Sequence, residues 1–178
     1  MDPISEARRQ WEAHGWSDAA PGMAAVTTIV RVQQILVSRI EETLAPLQLT
    51  FPRFEILRLL GFTRRGQLPM GKIGQRLQVH PASVTSAVKR LERDGLITRQ
   101  PDDTDRRVVI AAITLHGRSI LEDATKRINE IFETLELDQE DLDSLVAALG
   151  PFRLTAGDHV DHQPQPRVED TAQRTPPP

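Results

Sequence analysis

Cysteine is absent from this 178-residue chain. That excludes disulfide staples, thiolate-ligated zinc, iron–sulfur clusters and thiol-based redox sensing. Aromatic residues make up only 4% of the chain, although apolar residues reach 39%, enough for a real core. No charged-then-apolar leader opens the sequence, and no uninterrupted apolar run approaches about 18 residues. The expectation is a soluble, cytoplasmic protein with no membrane partner. An excess of one charge sign is nearly missing too, since the formal net charge is −3, which argues against a wholly basic nucleic-acid coat. There is no nucleophile–base pairing, no glycine-rich phosphate loop and no pair of carboxylates in an apolar setting. An enzyme is therefore not expected, and neither a cofactor nor a metal site is indicated. His159 and His162 have ligand-like spacing, but they fall in a proline-rich polar tail, and a bland tail is the favoured reading.

What is present is unevenly distributed. Between Arg64 and Arg107 lie ten basic and five acidic residues, a local charge of +5, against 12 basic and 20 acidic elsewhere, a charge of −8. A basic middle between acidic flanks suggests a module that faces a polyanion.

Periodicity and punctuation organise the chain. Ile4 to about His14 reads as a short helix stopped by Gly15, with Pro21-Gly22 as a break. From Met23 to about Ala45, Val26, Ile29, Val30, Val37, Ile40 and Leu44 recur at helical spacing, with Gln33 as a polar lapse. Thr50-Phe51-Pro52 reads as an N-cap region for a short helix carrying Phe54, Leu57 and Leu60 and stopped by Gly61. After a turn at Arg64–Gly66, Gln67-Leu68-Pro69 is extended. Gly71 to Leu77 is a short helix with Ile73 and Leu77 inside. Pro81 opens the next helix at its first position, with inner residues Val84, Ala87, Val88 and Leu91, and Gly95 ends it in a left-handed cap. Leu96–Arg99 and Val108–Ile113 form a two-stranded hairpin around the polar turn Pro101–Asp105; such a hairpin needs something to pack on. Thr114 and Asp138 read as N-caps of two further helices, the first with Ile120 or Leu121, Ala124, Ile128, Ile131 and Leu135 on its inner stripe.

Short helix, tight turn, second helix, glycine, strand, arginine-bearing turn, strand: this order is that of a winged helix-turn-helix, and the fold class expected is mostly α. In the second helix Val84, Val88 and Leu91 cluster on one side. Ala82, Ser86, Lys89 and Arg93 point away, flanked by Ser83, Thr85 and Arg90. Small hydroxyl residues let a helix approach base edges, while basic residues reach phosphates. The competing reading is an ordinary amphipathic surface helix. His80 either caps this helix or touches a phosphate, with the cap favoured.

The stretch from Arg76 to Arg118, with Asp105-x-Arg107, Ile113-Thr114 and Gly117-Arg118, resembles the core and wing of the MarR family of bacterial transcription regulators. The resemblance spans about residues 23 to 150. It implies a homodimer on a pseudo-palindromic operator in double-stranded DNA, most often as a repressor. It also implies a recognition helix in the major groove, the wing arginines Arg106 and Arg107 at the minor groove, and Asp105 holding Arg107 by a charge-assisted hydrogen bond. The DNA-facing set is then Lys72, His80, Ser83, Thr85, Ser86, Lys89, Arg90, Asp105, Arg106 and Arg107. Ser86 stands where many members carry arginine or lysine, which shifts base readout toward Ser83, Thr85 and Lys89. Members that sense oxidants use cysteine, which this chain lacks.

The N-terminal extension resembles that of the family's urate-responsive branch. Trp11 matches a ligand-site tryptophan in type and place, Glu55 stands about where that branch has aspartate, and Arg90 and Arg99 lie near its arginines. Trp11, Phe54, Glu55 and Arg99 are the expected lining for a small anionic or aromatic effector; for Trp11 a plain helix-packing anchor is the favoured reading. The organisation expected is an N-terminal extension and dimerisation helix (1–50), the winged helix-turn-helix (51–113), C-terminal dimerisation helices (114–154) and a disordered tail (155–178). Two other functions compete: a winged helix used for protein contacts, and a small-molecule-binding scaffold without DNA function. A salt-sensitive shift of duplex DNA separates the first reading from both, because phosphate contacts release counterions.

Overall fold

A computed structural model describes residues 1–160; most of the tail expected to be disordered, including His162, lies outside the described residues. Two compact units are present, residues 1–133 and the chain from Thr134 onward.

Helix α1 (Pro3–Ala13) starts at Asp2, whose carboxylate accepts from the Ile4 and Ser5 N–H groups at 3.2 and 3.0 Å, and ends before Gly15 at φ +83°. Helix α2 spans Ala20–Leu44. The expected break at Pro21-Gly22 is instead the first turn of this helix, where a proline's missing N–H has no intrahelical partner to lose. Helix α3 (Phe51–Phe62) follows a single 3-10 turn, Ala45–Leu47. The Thr50 side chain makes no cap; the Phe51 N–H donates to Glu41 Oε1 at 2.8 Å, so a carboxylate from α2 closes that end. Gly61 does not stop α3. A Cβ there would lie 2.7 Å from Leu121 Cδ2, so the glycine is the point at which another helix approaches closely.

Strand β1 (Gln67–Pro69), helix α4 (Met70–Leu77), helix α5 (Pro81–Arg93), strand β2 (Ile97–Pro101) and strand β3 (Val109–Ile113) follow. The expected two-stranded hairpin is a three-stranded antiparallel sheet of order β1–β3–β2. Gln67, Leu68 and Pro69 pair with Ala112, Ala111 and Ile110, so the short extended piece supplies the third strand that a hairpin needs to persist. Helix α6 (Leu115–Glu133) is capped by Thr114, whose hydroxyl accepts from the Gly117 N–H at 2.9 Å and donates to the Gly95 carbonyl at 2.8 Å. Gly117 is required by contact: a Cβ would fall 2.0 Å from the Leu96 carbonyl oxygen.

The core of this first unit joins Ile40 and Leu44 of α2, Phe54, Leu57 and Leu60 of α3, Ile73 of α4, Val84, Val88 and Leu91 of α5, and Leu121, Ala124 and Ile128 of α6. Of the inner stripes expected for α5 and α6, Val84, Val88, Leu91, Leu121, Ala124, Ile128 and Ile131 are buried, Ala87 and Ile120 are partly buried, and Leu135 lies beyond the end of α6. Helix α2 departs from expectation. Only its C-terminal end enters the core, while Val26, Ile29, Val30, Val32 and Ile35 are exposed. No uninterrupted apolar run approaches about 18 residues, yet residues 20–47 are long and apolar enough to cross a membrane by length and composition, with a mean hydropathy of 1.2 over 18 residues. In the second unit, helix α7 (Gln139–Thr155) is capped by Asp138, which accepts from the Asp141 N–H at 2.9 Å; Leu145, Val146, Phe152 and Leu154 are exposed.

Candidate nucleic-acid interface

Helix α5 is built to show one polar face. Pro81 occupies its first turn, and the His80 ring Nδ1 accepts from the Ala82 N–H at 3.2 Å, which is the capping role. With Val84, Val88 and Leu91 buried, the residues left outside are Ser83, Thr85, Ser86, Lys89, Arg90 and Arg93. The Thr85 hydroxyl donates back to the Pro81 carbonyl at 2.9 Å, so it presents its lone pairs and methyl outward rather than its proton.

Three ion pairs seat this helix. Arg53 of α3 reaches Asp94 at 2.9 Å and also donates to the Gln48 carbonyl, tying the end of α5 to the start of α3. Arg93 meets the same carboxylate at 3.0 Å. Arg99 of β2 donates from Nε to Glu92 at 2.9 Å, and this hydrogen-bonded arginine holds the Glu92 carboxyl below its ordinary pKa. Sequence reasoning missed Arg53, Asp94 and Glu92. Only Glu92–Arg99, seven apart across Gly95, had a legible signal; Arg53–Asp94 joins residues 41 apart.

The wing is shaped by Asp102, which the sequence placed only within a turn. Its Oδ1 accepts from the Thr104 and Asp105 N–H groups at 2.9 and 3.1 Å and from the Thr104 hydroxyl, and those donors depress its pKa, the hydroxyl most. The Asp102 N–H to Val108 and the Val108 N–H to Asp105 carbonyl bonds, both 2.8 Å, close the loop. Asp105 accepts from the Arg107 backbone N–H at 3.0 Å and stands 3.5 Å from its Nε. Its firmer hold is thus on the backbone, and the Arg107 side chain remains 94% exposed. Arg106 is exposed beside it.

These parts converge. An open cleft of about 680 Å³ is lined by Lys72 of α4, Thr85 of α5, Arg99 of β2, and Arg107, Val108 and Val109 of the wing. The other expected lining residues have separate settings. Trp11 packs edge-on against Trp16 with centroids 5.3 Å apart, and Trp16 stacks on His14 at 5.7 Å. Phe54 is in the core, and Glu55 is half-buried, with its carboxyl pushed up by desolvation.

Residues 49–109 match the model of the MarR family. The solved structure of Sco5413, a MarR family transcriptional regulator from Streptomyces coelicolor, is 44% identical, with a TM-score of 0.70 over 79% of this chain and 99% of that one. The chain belongs to the MarR family. Among curated relatives, the organic hydroperoxide resistance transcriptional regulator of Bacillus subtilis is 32% identical over 58% of this chain and 69% of its own length. Sco3205, a further Streptomyces coelicolor MarR family regulator whose structure was solved in complex with DNA, shares the fold at a TM-score of 0.66 and 20% identity, over 74% of this chain and 83% of that one. The family is one of transcriptional regulators, and its winged helix-turn-helix is the architecture found here.

Proposed function

We propose that this MarR-family chain is a repressor that binds a pseudo-palindromic duplex operator as a homodimer in the cytoplasm and releases it on binding a small anionic or aromatic effector. The observation that carries the reading is the convergence of Lys72, Thr85 and Arg107 from three separate elements on one open face, next to the uncovered polar side of α5. On this reading residues 51–113 are the DNA-binding part. Ser83, Thr85, Ser86 and Lys89 meet base edges in a major groove, Lys72, His80 and Arg90 meet phosphates, and Arg107 with Arg106 enters the adjacent minor groove, oriented by Asp105.

The homodimer is supported by the apolar side chains that residues 1–50 and 114–154 leave uncovered. Val26, Ile29, Val30, Val32 and Ile35 on α2, and Leu145 and Val146 on α7, exceed what an isolated monomer normally exposes. A two-fold dimer is the common cover. A bilayer is a poorer cover for α2, since Arg31, Gln33, Gln34 and Arg39 would be carried into it. Trp11, Phe54, Glu55 and Arg99 remain the effector-binding candidates although they stand in separate settings within one chain, and an effector acts only if it favours one spacing of the two recognition helices over another. Trp11→Phe should keep dimerisation and DNA binding but alter effector-induced release. The experiment for the function as a whole is titration of fluorescent duplex across a salt series. Affinity that falls steeply with salt supports it, and absence of duplex binding at low salt refutes it.

A further inference from the structure

Helices α3 and α5 each carry a charge at the end where their own dipole opposes it. Arg53 is the third residue of α3, at that helix's positive end, and Asp94 caps the negative end of α5. Each ion alone would weaken the helix that bears it, and the opposite order of charges would favour both helices. Helix stability therefore does not account for the pair. Yet the two meet at 2.9 Å, with the Arg53 side chain only 12% exposed and that of Asp94 30%. Desolvation makes such a pair a weak source of stability, while its directional contacts select one geometry.

The guanidinium uses all three of its nitrogens. Nη1 donates to Asp94 at the end of α5, Nη2 donates to the Gln48 carbonyl, and Nε stands 3.4 Å from Thr50 Oγ1. Gln48, at φ +54°, turns the chain out of the 3-10 turn that follows α2, and Glu41 of α2 accepts from the Phe51 N–H in the same corner. One side chain thus joins the C-terminal end of α2, the start of α3 and the end of α5. The apolar stripe of α5 presses that helix onto the core, but burial is non-directional. Ser83 and Asp94 stand about 16 Å apart along the helix, so a tilt of about 5° at the Asp94 end moves Ser83 by about 1.4 Å. Hydrogen bonds from short side chains to base edges tolerate less than that. Lysine and arginine, on long flexible stems, still reach phosphates.

We propose that Arg53 is a positioning residue for sequence readout: by holding Asp94 against the corner between α2 and α3 it sets the tilt of α5, and with it the discrimination between operator and other duplex. Arg53 acts through α5, since its own contacts all lie within the chain. The proposal rests on the reading of α5 as the base-facing helix, and it assigns specificity rather than affinity to the ion pair. Without the pair, Ser83 and Ser86 lose their register with base edges, while the phosphate contacts and their salt dependence persist.

The test titrates the full-length wild type, Arg53→Gln, Asp94→Asn and the double variant on two duplexes across a salt series. One duplex is the operator that the wild type selects from a random-sequence pool, and the other is its scrambled counterpart. Each single variant should lose about tenfold or more on the operator and keep wild-type affinity and salt slope on the scrambled duplex. The double variant should lose no more than the worse single one, because both substitutions break the same contact. If Arg53→Gln fails to fold, Asp94→Asn, at a partly exposed helix end, decides alone. Retained discrimination in the folded variants overturns the proposal and leaves the DNA-reading function standing. Equal losses on both duplexes also overturn it, since they mark a pair that serves only the fold, and so does an additive loss in the double variant. A wild type that shows no operator preference removes the base-facing helix and this proposal together.

Discussion

The Arg107 side chain is almost wholly exposed and stands 3.5 Å from Asp105, so its removal should leave the fold untouched. Arg107→Ala is expected to weaken operator binding by about tenfold or more at matched salt, with an unchanged melting temperature; unchanged affinity would remove the wing from the interface. Glu55 gives a pH-dependent outcome. Burial raises its carboxyl above the ordinary 4.5, so the folded state holds that proton more tightly than the unfolded chain does. Its contribution to stability is greatest below about pH 4.5 and declines as pH rises through the folded-state pKa. Glu55→Gln should therefore raise the melting temperature at pH 7 and leave it unchanged near pH 3.5. Gly117→Ala carries the opposite sign. Its new methyl would meet the Leu96 carbonyl oxygen at 2.0 Å, and denaturant unfolding should show a loss on the order of 3 kcal/mol.

Among the elements, α5 was the most legible. Proline at its first turn, a buried stripe three and four apart and Gly95 at φ +72° all point to one helix, and local signals agree with the tertiary outcome. The sheet was half legible. The two hairpin strands carry short apolar stretches that flank a polar turn, but three residues ending in proline carry too little pattern to announce β1, and pairing across more than forty residues leaves no local trace. Gly61 misled because a glycine near a helix end reads equally as a stop or as a close approach; only the position of Leu121 decides. The wing motif showed Asp105 and Arg107, but not that Asp102 organises the loop, since nothing in the spacing says which of three aspartates collects the N–H donors. At this scale the expected division of labour in α4 and α5 is measurable. Lys72→Ala and Arg90→Ala should weaken operator and scrambled duplex alike and flatten the salt slope by about one unit each, whereas Ser83, Ser86 and Lys89 variants should lose roughly 1–3 kcal/mol on the operator alone. Titrations on both duplexes check it, and equal losses on both for the second group would defeat the assignment.

For the whole molecule, the proposed homodimer is the cover for the apolar side chains exposed on α2 and α7. A 19.9 kDa chain should scatter light as a species of twice that mass at micromolar concentration, and a monomeric mass would contradict the dimer. Two-fold symmetry then dictates the form of the DNA site, because two recognition helices related by a dyad meet the major groove about one helical turn apart. The most direct test of the central claim is selection of duplexes from a random-sequence pool by the purified full-length protein, followed by sequencing. The account predicts enrichment of a pseudo-palindrome whose half-sites are centred about 10 base pairs apart, with A·T-rich flanks where the wing arginines enter. A pool that emerges without any enriched duplex motif would contradict it.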